Sequence, residues 1–176
     1  DIRRAWTEIA AEYNTKIKNY GKGYAVSMGT TVTALLLTSE RYYIMNVGDT
    51  RAYEIGQQVK LLTKDQTVVA REVELGVLTE EQAKSDSRRS VLLQCIGASE
   101  EVYPEFFFGE TLKDGVYMLC SDGFRNEISE EEIFYAFQPG SMMNAEMMRA
   151  NEGKLIELNK QRQERDNITV VTIRTF

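Results

Sequence analysis

Three acidic residues stand where apolar runs break off. Asp122 follows Val116-Tyr117-Met118-Leu119-Cys120-Ser121 and is itself followed by Gly123. Asp49 stands in Val47-Gly48-Asp49-Thr50-Arg51, and Asp166 directly precedes Asn167-Ile168-Thr169-Val170-Val171. A carboxylate at the end of a buried strand is fixed by the core yet faces the rim where ions arrive. Mg2+ and Mn2+ take such hard oxygens, usually one or two carboxylates with several waters. Paired ions of this kind bind phosphate oxygens and acidify a water until it attacks phosphorus. Gly123 lets the backbone approach a ligand closely. The expectation is that Asp49, Asp122 and Asp166 meet at one metal site, with the Gly123 backbone beside it. Taken singly, each has a plainer reading. Asp122-Gly123 is a common turn, Asp49 caps a tight bend, and Asp166 simply opens a strand.

Other chemistries are excluded by residue type. The 176 residues contain no histidine, which removes Ser-His and Cys-His nucleophiles and imidazole-bound zinc. The two cysteines, Cys95 and Cys120, form no Cys-x-x-Cys pair, and Cys120 lies inside an apolar run where a small core side chain is expected. A net charge of −6 with no basic stripe argues against a nucleic-acid surface. Charged and apolar content are those of a globular protein, and the length suits one domain spanning 1–176. No signal peptide or membrane span stands out, so a cytoplasmic setting is expected by default. The chain opens on Asp1, already in a helical pattern, which suggests a piece of something longer.

The elements that must position these acids follow from periodicity. Ile2, Trp6, Ile9, Tyr13 and Ile17 recur every three or four residues and predict one core-facing helix, closed by Gly21 and Gly23. Residues 30–37 and 41–47 read as a hairpin of buried strands, and 52–55 with 59–62 as a second. Four strands in succession argue for antiparallel pairing. Residues 63–94 read as an irregular polar insert with one short helix, capped by Thr79 with Gln82 three positions on. Strands are expected again at 105–108 and 116–121. Ser129-Glu130-Glu131-Glu132 is a capping box that opens a helix through Ile133, Phe134 and Phe137, stopped by Pro139-Gly140. A helix over 142–163 should bury Met143, Met147, Leu155 and Leu158, and a strand from Asn167 to Phe176 ends the chain. The fold class is α+β, with helices packed on sheets.

Six motifs in order resemble the bacterial form of the metal-dependent protein phosphatases of type 2C, the PPM family. They are Met28-Gly29-Thr30-Thr31, Asn46 to Tyr53, Leu62-Thr63-Lys64-Asp65-Gln66-Thr67, Leu92 to Gly97, Leu119 to Phe124, and Asp166 to Val171. The resemblance runs from about Ala10 to Phe176. It implies two antiparallel β-sheets packed as a sandwich and flanked by helices, a four-layer αββα arrangement. It also implies a binuclear Mn2+ or Mg2+ centre, with a weaker third ion, that hydrolyses phosphoserine and phosphothreonine through a metal-bound water. By position, Asp122 and Asp166 correspond to ligands of the second core metal, and Asp49 to a ligand of the third. No catalytic residue beyond the metal ligands is implied. The partners would be phosphoproteins and the kinase that opposes the enzyme.

The departures bear on activity. The family's N-terminal Asp-Gly-Met-Gly-Gly stretch, with its bridging aspartate, has no counterpart here, nor does its phosphate-binding arginine. Asp65-Gln66-Thr67 stands for Asp-His-Ser, and Thr50 for serine. The chain is therefore expected to be the C-terminal, N-terminally truncated part of a phosphatase domain, holding a partial metal site and inactive by itself. Three cases fit: a trimmed piece of an active enzyme, a phosphatase-like regulatory or interaction module that never turns over, or a chain completed by another polypeptide. An unrelated α+β domain whose acids only form turns would require the six motifs to coincide by chance.

Overall fold

The computed structural model describes all 176 residues. Seven strands form two antiparallel sheets with flanking helices. The chain runs α1 (Ile2–Gly23), β1 (Val32–Leu37), β2 (Arg41–Val47), β3 (Arg51–Ile55), β4 (Val59–Leu61), α2 (Val68–Glu74) and α3 (Glu80–Ser85). It continues through β5 (Glu105–Glu110), β6 (Val116–Cys120), α4 (Asp122–Arg125), α5 (Glu130–Phe137), α6 (Ala145–Gln161) and β7 (Val170–Arg174). The strand orders are β1-β2-β5 and β4-β3-β6-β7. The four successive strands thus divide, one hairpin to each sheet. No helix is long and apolar enough to cross a membrane.

The chain falls into two compact units, the first comprising residues 1–35, 43–49 and 64–107. Its core gathers Ala10, Met45, Val47, Ile96 and Val102, with Trp6, Ile17 and Val32 packed alongside. The side chain of Asp1 accepts from the Arg3 amide and caps α1. The buried stripe of α1 runs through Ala10, Asn14 and Gly21, with Ile2, Trp6 and Ile17 half-buried. Ile9 and Tyr13, expected in the core, are 47% and 51% exposed. Asn14 decides the rotation. Its Oδ1 accepts from the Gly97 amide at 2.7 Å, and its Nδ2 donates to the carbonyls of Ser99 and Glu100. A polar side chain satisfied on both ends is buried at little cost.

Residues 63–94 are more ordered than the polar composition suggests. Besides α3, whose capping box forms with both bonds present, they hold α2, where the Thr67 side chain accepts from the Ala70 amide.

The second unit comprises residues 36–42, 50–63 and 108–176. Alternate residues Tyr53 and Ile55 on β3, and Val116, Met118 and Cys120 on β6, share a core with helical residues Phe124, Ile133, Phe137 and Leu155. The period of two along a strand puts these side chains on one sheet face. Tyr117 is also fully buried, so β6 is covered on both faces as its unbroken apolar run predicts. Phe124 and Phe137 stack with ring centroids 6.2 Å apart. In the α6 region the buried methionine is Met142, with Met148 packed on the core, whereas Met143 is 54% exposed and Met147 is also exposed. The helix is capped by Asn144, whose side chain accepts from the Met147 amide, so Met142 and Met143 precede it, and within it Met148 rather than Met147 packs on the core.

Candidate metal site

The site is built on the end of β6. The antiparallel register sets Arg51 opposite Cys120, and Cys120 opposite Val170. The lead into β3, the exit from β6 and the lead into β7 therefore share one end of the four-stranded sheet. Asp122 leaves that end as the first residue of α4, a single turn, and is half-buried. Asp166 lies four residues ahead of β7 and is exposed.

The structure brings Asp122 and Asp166 together through Gly123. A Cβ placed on Gly123 would lie 2.7 Å from the Asn167 carbonyl oxygen and 3.1 Å from the Asp166 Cβ. Only a residue without a side chain lets the two segments come this close. Each aspartate commits one oxygen locally: Asp122 Oδ1 accepts from the Gly123 amide at 2.8 Å, and Asp166 Oδ1 accepts from the Asn167 amide at 2.7 Å. The second oxygen of each carboxylate takes no hydrogen bond, so both remain available to a cation. Below them, the buried Asn159 donates to the Phe124 carbonyl at 2.8 Å and anchors α4 to α6.

Asp49 belongs to the first unit, in the turn that follows β2 and two residues before β3 begins. Gly48 has φ +106, and a Cβ there would meet Thr31 at 2.3 Å, so the turn demands glycine. Two buried amides hold it. Gln66 Oε1 accepts from the Gly48 backbone N–H at 2.8 Å, while the Gln66 backbone N–H donates to the Gly48 carbonyl at 3.0 Å. Asn46 donates to the carbonyls of Gly48 and Lys64, and accepts from the Thr33 hydroxyl at 2.6 Å. Asn46 and Gln66 stand in two of the sequence motifs, but neither was given a role there. The signal was available for Asn46, a lone amide inside the apolar strand Tyr42 to Val47.

No three His, Cys, Asp or Glu side chains cluster as a complete metal site. The donors that do meet are carboxylate oxygens beside a glycine cradle, the hard set that Mg2+ or Mn2+ accepts and zinc-type soft sites lack. Two carboxylates also suit an ion that keeps most of its water. The residues present fit part of such a centre.

A family model described as protein phosphatase 2C matches residues 1–158. The chain belongs to the protein phosphatase 2C family. It is 34% identical over 145 residues to the serine/threonine protein phosphatase PstP of Mycobacterium tuberculosis, covering 82% of this chain and 27% of that protein. Among solved structures, the S. agalactiae serine/threonine phosphatase superposes with a TM-score of 0.89 at 28% identity, covering 99% of this chain and 71% of that one. The catalytic domain of PstP in complex with two manganese ions gives a TM-score of 0.74 at 28% identity, covering 93% and 67%. This protein phosphatase 2C chain thus spans about a quarter of its mycobacterial relative's length.

Proposed function

We propose that the protein carrying this chain is a Mn2+- or Mg2+-dependent serine/threonine protein phosphatase, and that Asp122, Asp166 and Asp49 are metal ligands in it. The observation that carries this is the close approach of Asp122 and Asp166 across Gly123, in a chain of the protein phosphatase 2C family. That a PstP catalytic domain was solved with two manganese ions supports the choice of metal. Bound divalent ions would supply charge neutralisation at phosphate oxygens and acidification of water. This chain's own residues hold the ions in place. The Gly123 amide fixes one oxygen of Asp122 and leaves the other for an ion, and the Asn167 amide does the same for Asp166. Asn46 and Gln66 set the backbone from which Asp49 projects.

The family match runs through both compact units, which supports reading 1–176 as one partial phosphatase domain. These residues alone hold a partial site and are inactive without the rest of the domain. Substrates are phosphoserine and phosphothreonine proteins in a cytoplasmic setting shared with the opposing kinase.

The test is hydrolysis of p-nitrophenyl phosphate and of a phosphothreonine peptide by the full-length protein, with and without Mn2+. Turnover that needs Mn2+ and is abolished in Asp122→Asn is expected. Turnover untouched by that substitution overturns the assignment.

A further inference from the structure

We propose that Ser121 is a positioning residue that sets the spacing between Asp122 and Asp166; the inference rests on the metal assignment above. Ser121 occupies the residue before α4, where a serine hydroxyl usually accepts from an amide of the first helical turn. It makes no such bond. The side chain crosses to the other aspartate's segment instead. Its Oγ donates to the Asn167 carbonyl at 3.0 Å and accepts from the Thr169 amide at 3.1 Å. The Ser121 amide adds a third link, donating to the Thr169 carbonyl at 3.0 Å. One hydroxyl thus donates and accepts across the gap, one residue before Asp122 and within three residues after Asp166.

The Asn167 carbonyl is the pivot. It takes the Ser121 hydroxyl on one side and abuts Gly123 on the other, where a Cβ would come within 2.7 Å. Gly123 fixes how near the two segments come. Ser121 fixes that they stay there, and its direction sets where the Asp166 carboxylate stands relative to Asp122. Asn167 and Thr169 are exposed, so water can replace the lost hydroxyl in a variant. Folding therefore survives while the spacing loosens. Coordination tolerates only about 0.2 Å in ligand distance, and residues that orient ligands typically change metal affinity about 10- to 100-fold.

The experiment compares wild type, Ser121→Ala and Ser121→Thr in the full-length protein by Mn2+ calorimetry. Circular dichroism checks the fold, and hydrogen exchange at the Thr169 amide gives a metal-free readout. Ser121→Ala should keep its secondary structure, exchange faster at Thr169, and bind Mn2+ at least about 10-fold more weakly. Ser121→Thr, which keeps the hydroxyl, should restore both. A folded Ser121→Ala with wild-type affinity overturns the inference alone. A full-length wild-type protein that binds no Mn2+ overturns the metal assignment and the inference with it.

Discussion

Replacing Gly123 by alanine puts one methyl into the contact that joins the two aspartates. The added Cβ would stand 2.7 Å from the Asn167 carbonyl oxygen, a backbone atom, and 3.1 Å from the Asp166 Cβ. Ordinary carbon–oxygen contact is about 3.3 Å, so the segments must part by roughly half an ångström, since neither atom is the free end of a flexible side chain. Overpacking of this kind costs about 1–3 kcal/mol, offset by up to about 1 kcal/mol because alanine favours the helical turn. Gly153, inside α6, supplies the control. A Cβ there meets nothing within 4 Å, so Gly153→Ala gains the helix preference without the clash. Thermal denaturation should therefore rank Gly153→Ala above wild type and Gly123→Ala below it. Each kcal/mol moves the midpoint by about 2–4 °C in a chain this long. Mn2+ affinity should fall in Gly123→Ala and hold in Gly153→Ala. A Gly123→Ala protein as stable as Gly153→Ala, with unchanged Mn2+ affinity, would refute the argument that these two segments touch.

Two further outcomes follow from the same unit. The Arg162 guanidinium pairs with both oxygens of Glu132, at 2.8 and 2.6 Å, and together with the Ser129 amide holds that carboxyl down to about 2. Because the folded value lies below the ordinary 4.5, the pair's contribution is complete above that pH and is lost as pH falls towards 2. The stability gap between wild type and Glu132→Gln, measured by urea titration, should shrink across that window and stay small overall, since the pair is partly solvated. A gap independent of pH contradicts it. The buried Tyr117 hydroxyl donates to Glu54 Oε2 at 2.8 Å and accepts from the Leu112 amide at 2.9 Å. Tyr117→Phe strands both partners and should cost about 1–3 kcal/mol by denaturation, with Mn2+ affinity unchanged; a neutral substitution would show that solvent reaches them.

Local chemistry was legible wherever a single segment carried it. The unbroken apolar run Val116–Cys120 announced a strand covered on both faces, and the two capping boxes formed as written at Thr79 and Ser129. Periodicity misjudged α1 because it counts apolar residues and has no measure of partners. Asn14 is buried by three hydrogen bonds to residues more than eighty positions away, and Ile9 and Tyr13 turn outward in consequence. The methionines near α6 were misassigned because the helix starts only after Asn144, which leaves Met143 outside it and turns Met148, not Met147, to the core. Helix α2 went unseen because Val68, Val69 and Val73 read as poor helix formers, while the Thr67 cap is a weak signal without an acid or glutamine at its third helical position. At the site, the residue types pointed to hard-cation chemistry. The nearness of Asp122 to Asp166 depends on the β6–β7 register, which no local pattern encodes and which only the order of the motifs suggested.

The most direct test of the metal assignment is Mn2+ titration of wild type against Asp122→Asn and Asp166→Asn, read by calorimetry. Each substitution keeps the side chain's shape and its bond to the following amide, but removes the negative charge. Both single variants should bind Mn2+ at least about 10-fold more weakly than wild type while remaining folded. Three proteins with the same Mn2+ affinity would contradict the account.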